Sequence, residues 1–124
     1  MRIYKTSLFA KWARKEKLTD SALRQAVAEM EAGLVDADLG GNVFKKRIAT
    51  KSRGKRAGVR TVIAFRHGDK AFFILGYAKN KKETMTIEET QSVKEFACNL
   101  LDHTTEQIQQ LINHKSLIEV RNEE

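Results

Sequence analysis

Val43-Phe44-Lys45-Lys46-Arg47-Ile48-Ala49, Val59-Arg60-Thr61-Val62-Ile63-Ala64-Phe65-Arg66 and Ala71-Phe72-Phe73-Ile74-Leu75-Gly76-Tyr77-Ala78 are three runs that read with a period of two. That period is the mark of a β-strand, whose successive side chains point to opposite faces. In the first run Val43, Lys45, Arg47 and Ala49 share one face, and Phe44, Lys46 and Ile48 share the other. The Phe44 and Ile48 face is read as the core side, with Lys46 at its rim or snorkelling to water. In the second run Val59, Thr61, Ile63 and Phe65 face one way, and Arg60, Val62, Ala64 and Arg66 the other. Residues 50–58 form a basic loop with two glycines, and His67-Gly68-Asp69 forms a tight turn. The three strands therefore predict an antiparallel, twisted meander.

Helical periodicity flanks this meander on both sides. After a short extended start at Arg2 to Lys5, Thr6 or Ser7 can cap a helix whose face carries Leu8, Phe9, Trp12 and Ala13. Leu18-Thr19-Asp20 opens a second helix with a stripe of Leu23, Val27, Met30 and Leu34, and Gly33 can close it. Asp36 to Asn42 reads as turn. Thr86-Ile87-Glu88-Glu89 fits a capping box ahead of Val93, Phe96, Ala97, Leu100 and Leu101. Thr104-Thr105-Glu106-Gln107 repeats that signal, and Leu117 to Val120 can form a last strand. The expected fold is α+β: one domain over residues 1–124, a small twisted antiparallel sheet, an N-terminal helical hairpin and C-terminal helices, with the helices on one face. Phe44, Phe65, Phe72, Phe73, Phe96 and Trp12 are assigned to the core.

Charge is distributed unevenly. Between Leu39 and Gly68 there are nine Lys and Arg residues and no Asp or Glu, while the whole chain carries a formal +7. Residues 83–124 hold nine acids against three bases. A basic excess concentrated in one folded element points to a polyphosphate partner, RNA above all. Cys98 is the single cysteine, so an internal disulfide and a cysteine zinc cage are excluded, and its helical context predicts a buried, inert thiol. No apolar run reaches membrane-spanning length, which gives a cytoplasmic expectation with no membrane partner.

Candidate chemistry follows from what the basic segment offers. No phosphate loop, nucleophile elbow or paired metal-ligand histidines are present in the sequence. A metal-free, cofactor-free ribonuclease uses the ribose 2′-hydroxyl as its own nucleophile. The protein must then remove a proton and stabilise the phosphorane with fixed cations. Lys45, crowded by Arg47 and Arg60, is the candidate base or phosphate clamp, because neighbouring cations favour a neutral amine. Arg47 and Arg60 are the candidate stabilisers of the transition state, their guanidinium forks suited to phosphate oxygens. Lys46, Lys51, Arg53, Lys55, Arg56, Arg66, Lys79, Lys81 and Lys82 are candidate backbone contacts, and Tyr77 a candidate stacking platform for a base. Binding without cleavage is the simpler reading of the same patch.

Three segments together carry a family resemblance: Asp36-Ala37-Asp38-Leu39-Gly40-Gly41-Asn42-Val43-Phe44-Lys45-Lys46-Arg47-Ile48, Gly54-Lys55-Arg56-Ala57-Gly58-Val59-Arg60-Thr61, and Phe72-Phe73-Ile74-Leu75-Gly76-Tyr77-Ala78-Lys79-Asn80. They resemble the RelE-like and HigB-like branch of the RelE/ParE toxin superfamily. The resemblance implies a RelE-like fold and a toxin of a type II toxin–antitoxin pair. It also implies growth inhibition by a metal-independent endoribonuclease, an mRNA interferase that cuts mRNA on the ribosome. The partners implied are mRNA, the ribosome and a cognate antitoxin, often a helix-turn-helix protein. The family's strand lysines fall on Lys45 and Arg47, and its glycine-aromatic-arginine step on Arg60, with Val59 in place of the aromatic. Its lysine–arginine step falls on Lys79-Asn80, and its terminal tyrosine has no counterpart around Thr84, Met85 and Thr86. Two alternatives share the fold: a ParE-like toxin that inhibits gyrase without nuclease activity, and a non-toxic RNA- or protein-binding domain.

Overall fold

The structure, a computed structural model, describes residues 1–50, 58–78 and 85–121. Ten elements follow one another: β1 (Arg2–Thr6), α1 (Ser7–Lys15), α2 (Asp20–Glu31), β2 (Ala37–Gly40), β3 (Val43–Ile48), β4 (Val59–Arg66), β5 (Lys70–Ala78), α3 (Ile87–Leu101), α4 (Thr105–Asn113) and β6 (Leu117–Glu119). They build one six-stranded sheet in the order β2-β3-β4-β5-β1-β6. The predicted meander is β3-β4-β5, antiparallel throughout, and β1 joins it parallel to the first half of β5.

Local chemistry sets the helix starts. Thr6, Thr19, Thr86 and Thr104 each cap a helix by accepting a hydrogen bond from the backbone N–H three residues on. At α3 and α4 the capping box is complete, with the Glu89 and Gln107 side chains returning to the cap's own N–H. One short strand escapes the expected pattern. Ala37–Gly40 lies in a stretch of Asp and Gly that reads as turn, yet it pairs with β3 as an edge strand with a register shift between Asp38 and Gly40. The turn itself follows, with Gly40, Gly41 and Asn42 at φ values of 87°, 62° and 64°, a left-handed run suited to Gly and Asn.

Helices cover both faces of the sheet, not one. Ile63 and Phe73 look toward α1 and α2, where Phe9, Leu23 and Val27 complete one core. Val62 and Phe72 look the opposite way, toward Val93, Ala97 and Leu100 of α3. The strands are therefore apolar on both sides, and a two-layer expectation gives way to a sheet sandwiched between helical layers. At Gly76 the close approach is visible directly: an added Cβ would sit 2.2 Å from the Trp12 ring. Two assignments are corrected by exposure. Phe96 is 45% exposed rather than core, and the Cys98 thiol is exposed rather than buried, 3.8 Å from the Asp102 carboxylate. Among the described residues no helix is long and apolar enough to cross a membrane.

Candidate nucleic-acid interface

Cross-strand register decides which cations meet. Arg47 on β3 lies opposite Arg60 on β4, and Arg60 lies opposite Tyr77 on β5. Side chains opposite one another share a face, so Arg47, Arg60 and Tyr77 form a row across three strands, spanning about 10 Å at the usual strand spacing. Lys45 heads the next row, opposite Val62 and Leu75, and is therefore diagonal to Arg60 rather than across from it. These rows lie on the α3 side of the sheet, at the end where β3 stops and β4 begins. Farther along that face, Val43, Ala64 and Phe72 are fully buried with α3.

The Arg47 guanidinium is held in place. Its Nε donates to Asp36 Oδ1 at 2.9 Å, and its backbone N–H donates to Asp36 Oδ2 at 2.6 Å. Burial alone would raise the Asp36 carboxyl. The backbone and side-chain hydrogen bonds from Arg47, with the charges of Arg47 and Lys46, outweigh it and leave the group below its ordinary 3.8. Asp36 is a residue that the strand pattern does not flag. The signal that finds it is the β2–β3 hairpin register, which brings the residue before Ala37 alongside Arg47.

Arg60 differs from Arg47. Its Nη1 is buried and, among the described residues, has no hydrogen-bond partner. Thr50 Oγ1 is in the same condition, two residues beyond the end of β3. Buried side-chain polar atoms are nearly always paired, so two orphans at one end of a strand pair require an explanation. Both residues are half-buried and flank, in sequence, residues 51–57, which lie outside the described residues.

Not every predicted contact belongs to this row. Lys46 is 4% exposed, points to the α2 side and places its ammonium 2.7 Å from Glu29. It is an internal ion pair and is withdrawn from the RNA-contact set. Arg66 sits at the far end of β4, where Nη1 donates to the Leu101 carbonyl at 3.0 Å and Nη2 lies 3.4 Å from Asp102. It lies six positions along the strand from Arg60, about 20 Å. It fastens α3 to the sheet and does not join the cluster. Tyr77 is in the row but only 8% exposed, packed in the core beneath α3, so its ring presents no open stacking face. Lys51, Arg53, Lys55, Arg56, Lys79, Lys81 and Lys82 lie outside the described residues.

A family model described as the RelE toxin of the RelE/RelB toxin–antitoxin system matches residues 1–120. Among curated proteins, none matches the chain.

Proposed function

The chain belongs to the RelE toxin family, and from that premise we propose that it is a metal-independent endoribonuclease that cleaves mRNA on the ribosome. The observation that carries this reading is the cross-strand register that sets Arg47 opposite Arg60 with Lys45 one row away, three cations fixed on one face of the sheet. A dianionic phosphorane seated on this row gains most from such fixed cations as its charge develops, which is where preorganised electrostatics accelerate a reaction most.

The roles follow from placement. Arg60 stabilises the charge on the non-bridging phosphate oxygens. Arg47, its Nε spent on Asp36, offers its remaining N–H groups to the same phosphate in a fixed orientation. Lys45, diagonal to both arginines, is the base for the ribose 2′-hydroxyl or a second phosphate clamp. Attack of that hydroxyl on phosphorus breaks the bond to the 5′-oxygen of the next nucleotide, leaving a cyclic phosphate and a free 5′-hydroxyl. Lys51, Arg53, Lys55, Arg56, Lys79, Lys81 and Lys82 add seven positive charges to the sequence next to β3, β4 and β5, which favours a polyanionic partner. A cognate antitoxin neutralises the toxin, and free toxin arrests growth.

The test is purified protein with translating ribosomes, read by primer extension. Arg60→Ala is expected to lose cleavage by roughly a hundredfold or more, in line with removing one stabilising donor from a transition state. Equal cleavage by variant and wild type would remove Arg60 from the mechanism. Gyrase inhibition without RNA cleavage would replace this reading with the ParE-like one.

A further inference from the structure

We propose that an acidic, apolar-alternating extended segment of the partner antitoxin adds as a strand to the free edge of β5, in a groove between α1 and α3. The inference rests on membership of a toxin–antitoxin family and not on RNA cleavage.

The free edge follows from the register. β1 pairs with β5 only from Arg2↔Lys70 to Lys5↔Phe73. At Thr6 the chain turns away into α1, and the Thr6 hydroxyl donates to the Ile74 carbonyl at 3.0 Å. From Leu75 to Ala78, β5 therefore has β4 on one side and, among the described residues, no strand on the other. An unpaired edge is a template for a further strand.

A groove of about 750 Å³ opens beside the Ile74–Gly76 part of this edge and reaches Leu111 of α4 and Leu117 of β6. Its floor includes Ile74, Leu75 and Gly76; Leu8 and Trp12 of α1 form one wall, and Phe96 of α3 stands in the other. Among the described residues, no Asp, Glu, Lys or Arg lines it. Leu8 is 76% exposed and Phe96 45%, large apolar side chains on the two helices that flank the slot. Because α1 and α3 belong to opposite helical layers, a segment entering between them continues the sheet and meets apolar side chains on both of its faces. That geometry selects a chain alternating apolar residues on two sides, not a helix with one apolar stripe.

Charge selects the partner. α1 contains no acidic residue, and exposed Lys11 and Lys15 stand one turn from Leu8 and Trp12 respectively. On α3 the exposed Glu95 adjoins Phe96 outside the lining, so carboxylates of the incoming segment belong on the α1 side. A second copy of this chain would bring +7 against +7. RNA would find no cation among the described lining residues.

The experiment uses the full chain and the antitoxin encoded beside it. Binding is measured by titration, and backbone hydrogen exchange is followed with and without the antitoxin. Binding with new protection of the Leu75–Ala78 amides is expected. Leu8→Glu and Phe96→Glu, both at exposed positions, are each expected to weaken the complex at least tenfold with ribosome-dependent cleavage unchanged. Lys11→Glu with Lys15→Glu is expected to slow association and flatten its salt dependence. Arg60→Ala should bind the antitoxin as wild type does, whether or not it cleaves RNA. The proposal is overturned by wild-type affinity in the Leu8 and Phe96 variants, or by protection confined to other elements. It is equally overturned by self-association of the chain that Leu8→Glu abolishes, or by the absence of any complex.

Discussion

Removing Glu29 should unfold this protein far more readily than removing its partner Lys46. The Lys46 ammonium lies 2.7 Å from Glu29, with side-chain exposures of 5% and 21%. Deleting one member of a buried pair strands the other charge, at a cost of about 3–5 kcal/mol. Water reaches Glu29 in part, which places Glu29→Ala at the lower end, about 3 kcal/mol. For a domain of this size that lowers Tm by roughly 10 °C. Lys46→Met instead replaces the charge with an apolar chain of similar length, leaving a partly exposed carboxylate that keeps the Gln25 amide 3.4 Å away. It should stay within about 1 kcal/mol of wild type. Urea unfolding followed by fluorescence of Trp12, the sole tryptophan, measures both. The same pair of variants separates a structural lysine from an RNA contact: Lys46→Met should keep wild-type RNA affinity and salt dependence. Glu29→Ala matching wild type while Lys46→Met weakens RNA binding would refute the reasoning.

Three further outcomes follow from the structure. Asp36 has a folded pKa below its unfolded 3.8, so its stabilising contribution is present above that value and fades as pH falls through the folded pKa; the stability gap between wild type and Asp36→Asn should therefore close in strong acid, as urea titrations at stepped pH will show. Gly76→Ala puts a methyl 2.2 Å from the Trp12 ring and should destabilise by about 1–3 kcal/mol, with a changed Trp12 emission. Arg60→Ala, beyond its effect on cleavage, should lower the slope of log affinity against log salt for single-stranded RNA by about 0.7, the loss of one phosphate contact; an unchanged slope would mean that Arg60 meets no phosphate.

Strong periodicity and cap chemistry made most of the fold legible. β4 has no ambiguity, with eight residues of alternation between a glycine and a His-Gly-Asp turn, and the four threonine caps mark four helix starts. What escaped did so for physical reasons. β2 is four residues of Ala, Asp, Leu and Gly, poor strand formers held by pairing with β3 alone. Burial on both faces was hidden because Arg60 and Arg66 punctuate one side of β4 and read as solvent-facing, although Val62 and Ala64 between them are fully buried. Register was the remaining gap. Alternation placed Lys45 and Arg47 on one face correctly, but only pairing distances show that Arg47, not Lys45, stands opposite Arg60.

Two-sided coverage also explains where a site can exist in this molecule. A sheet packed by helices on both faces leaves few places where backbone-fixed cations meet solvent. Along the α3 face, Val43, Ala64 and Phe72 are sealed, and Arg66 is tied to the end of α3. The row Arg47–Arg60–Tyr77 lies at the opposite end, where Tyr77 still belongs to the core with Val93 while Arg47 and Arg60 are only half-buried. There Asp36 fixes one arginine and nothing among the described residues satisfies the buried nitrogen of the other. Asp36→Ala separates positioning from simple charge. Freed from its anchor, Arg47 keeps its charge and can still bind a phosphate, so RNA affinity should hold within about twofold while kcat falls by roughly tenfold or more, because misplacement costs orientation rather than attraction. Cleavage that falls only in step with affinity would show Asp36 to be a structural acid, and Arg47 one more cation on the track.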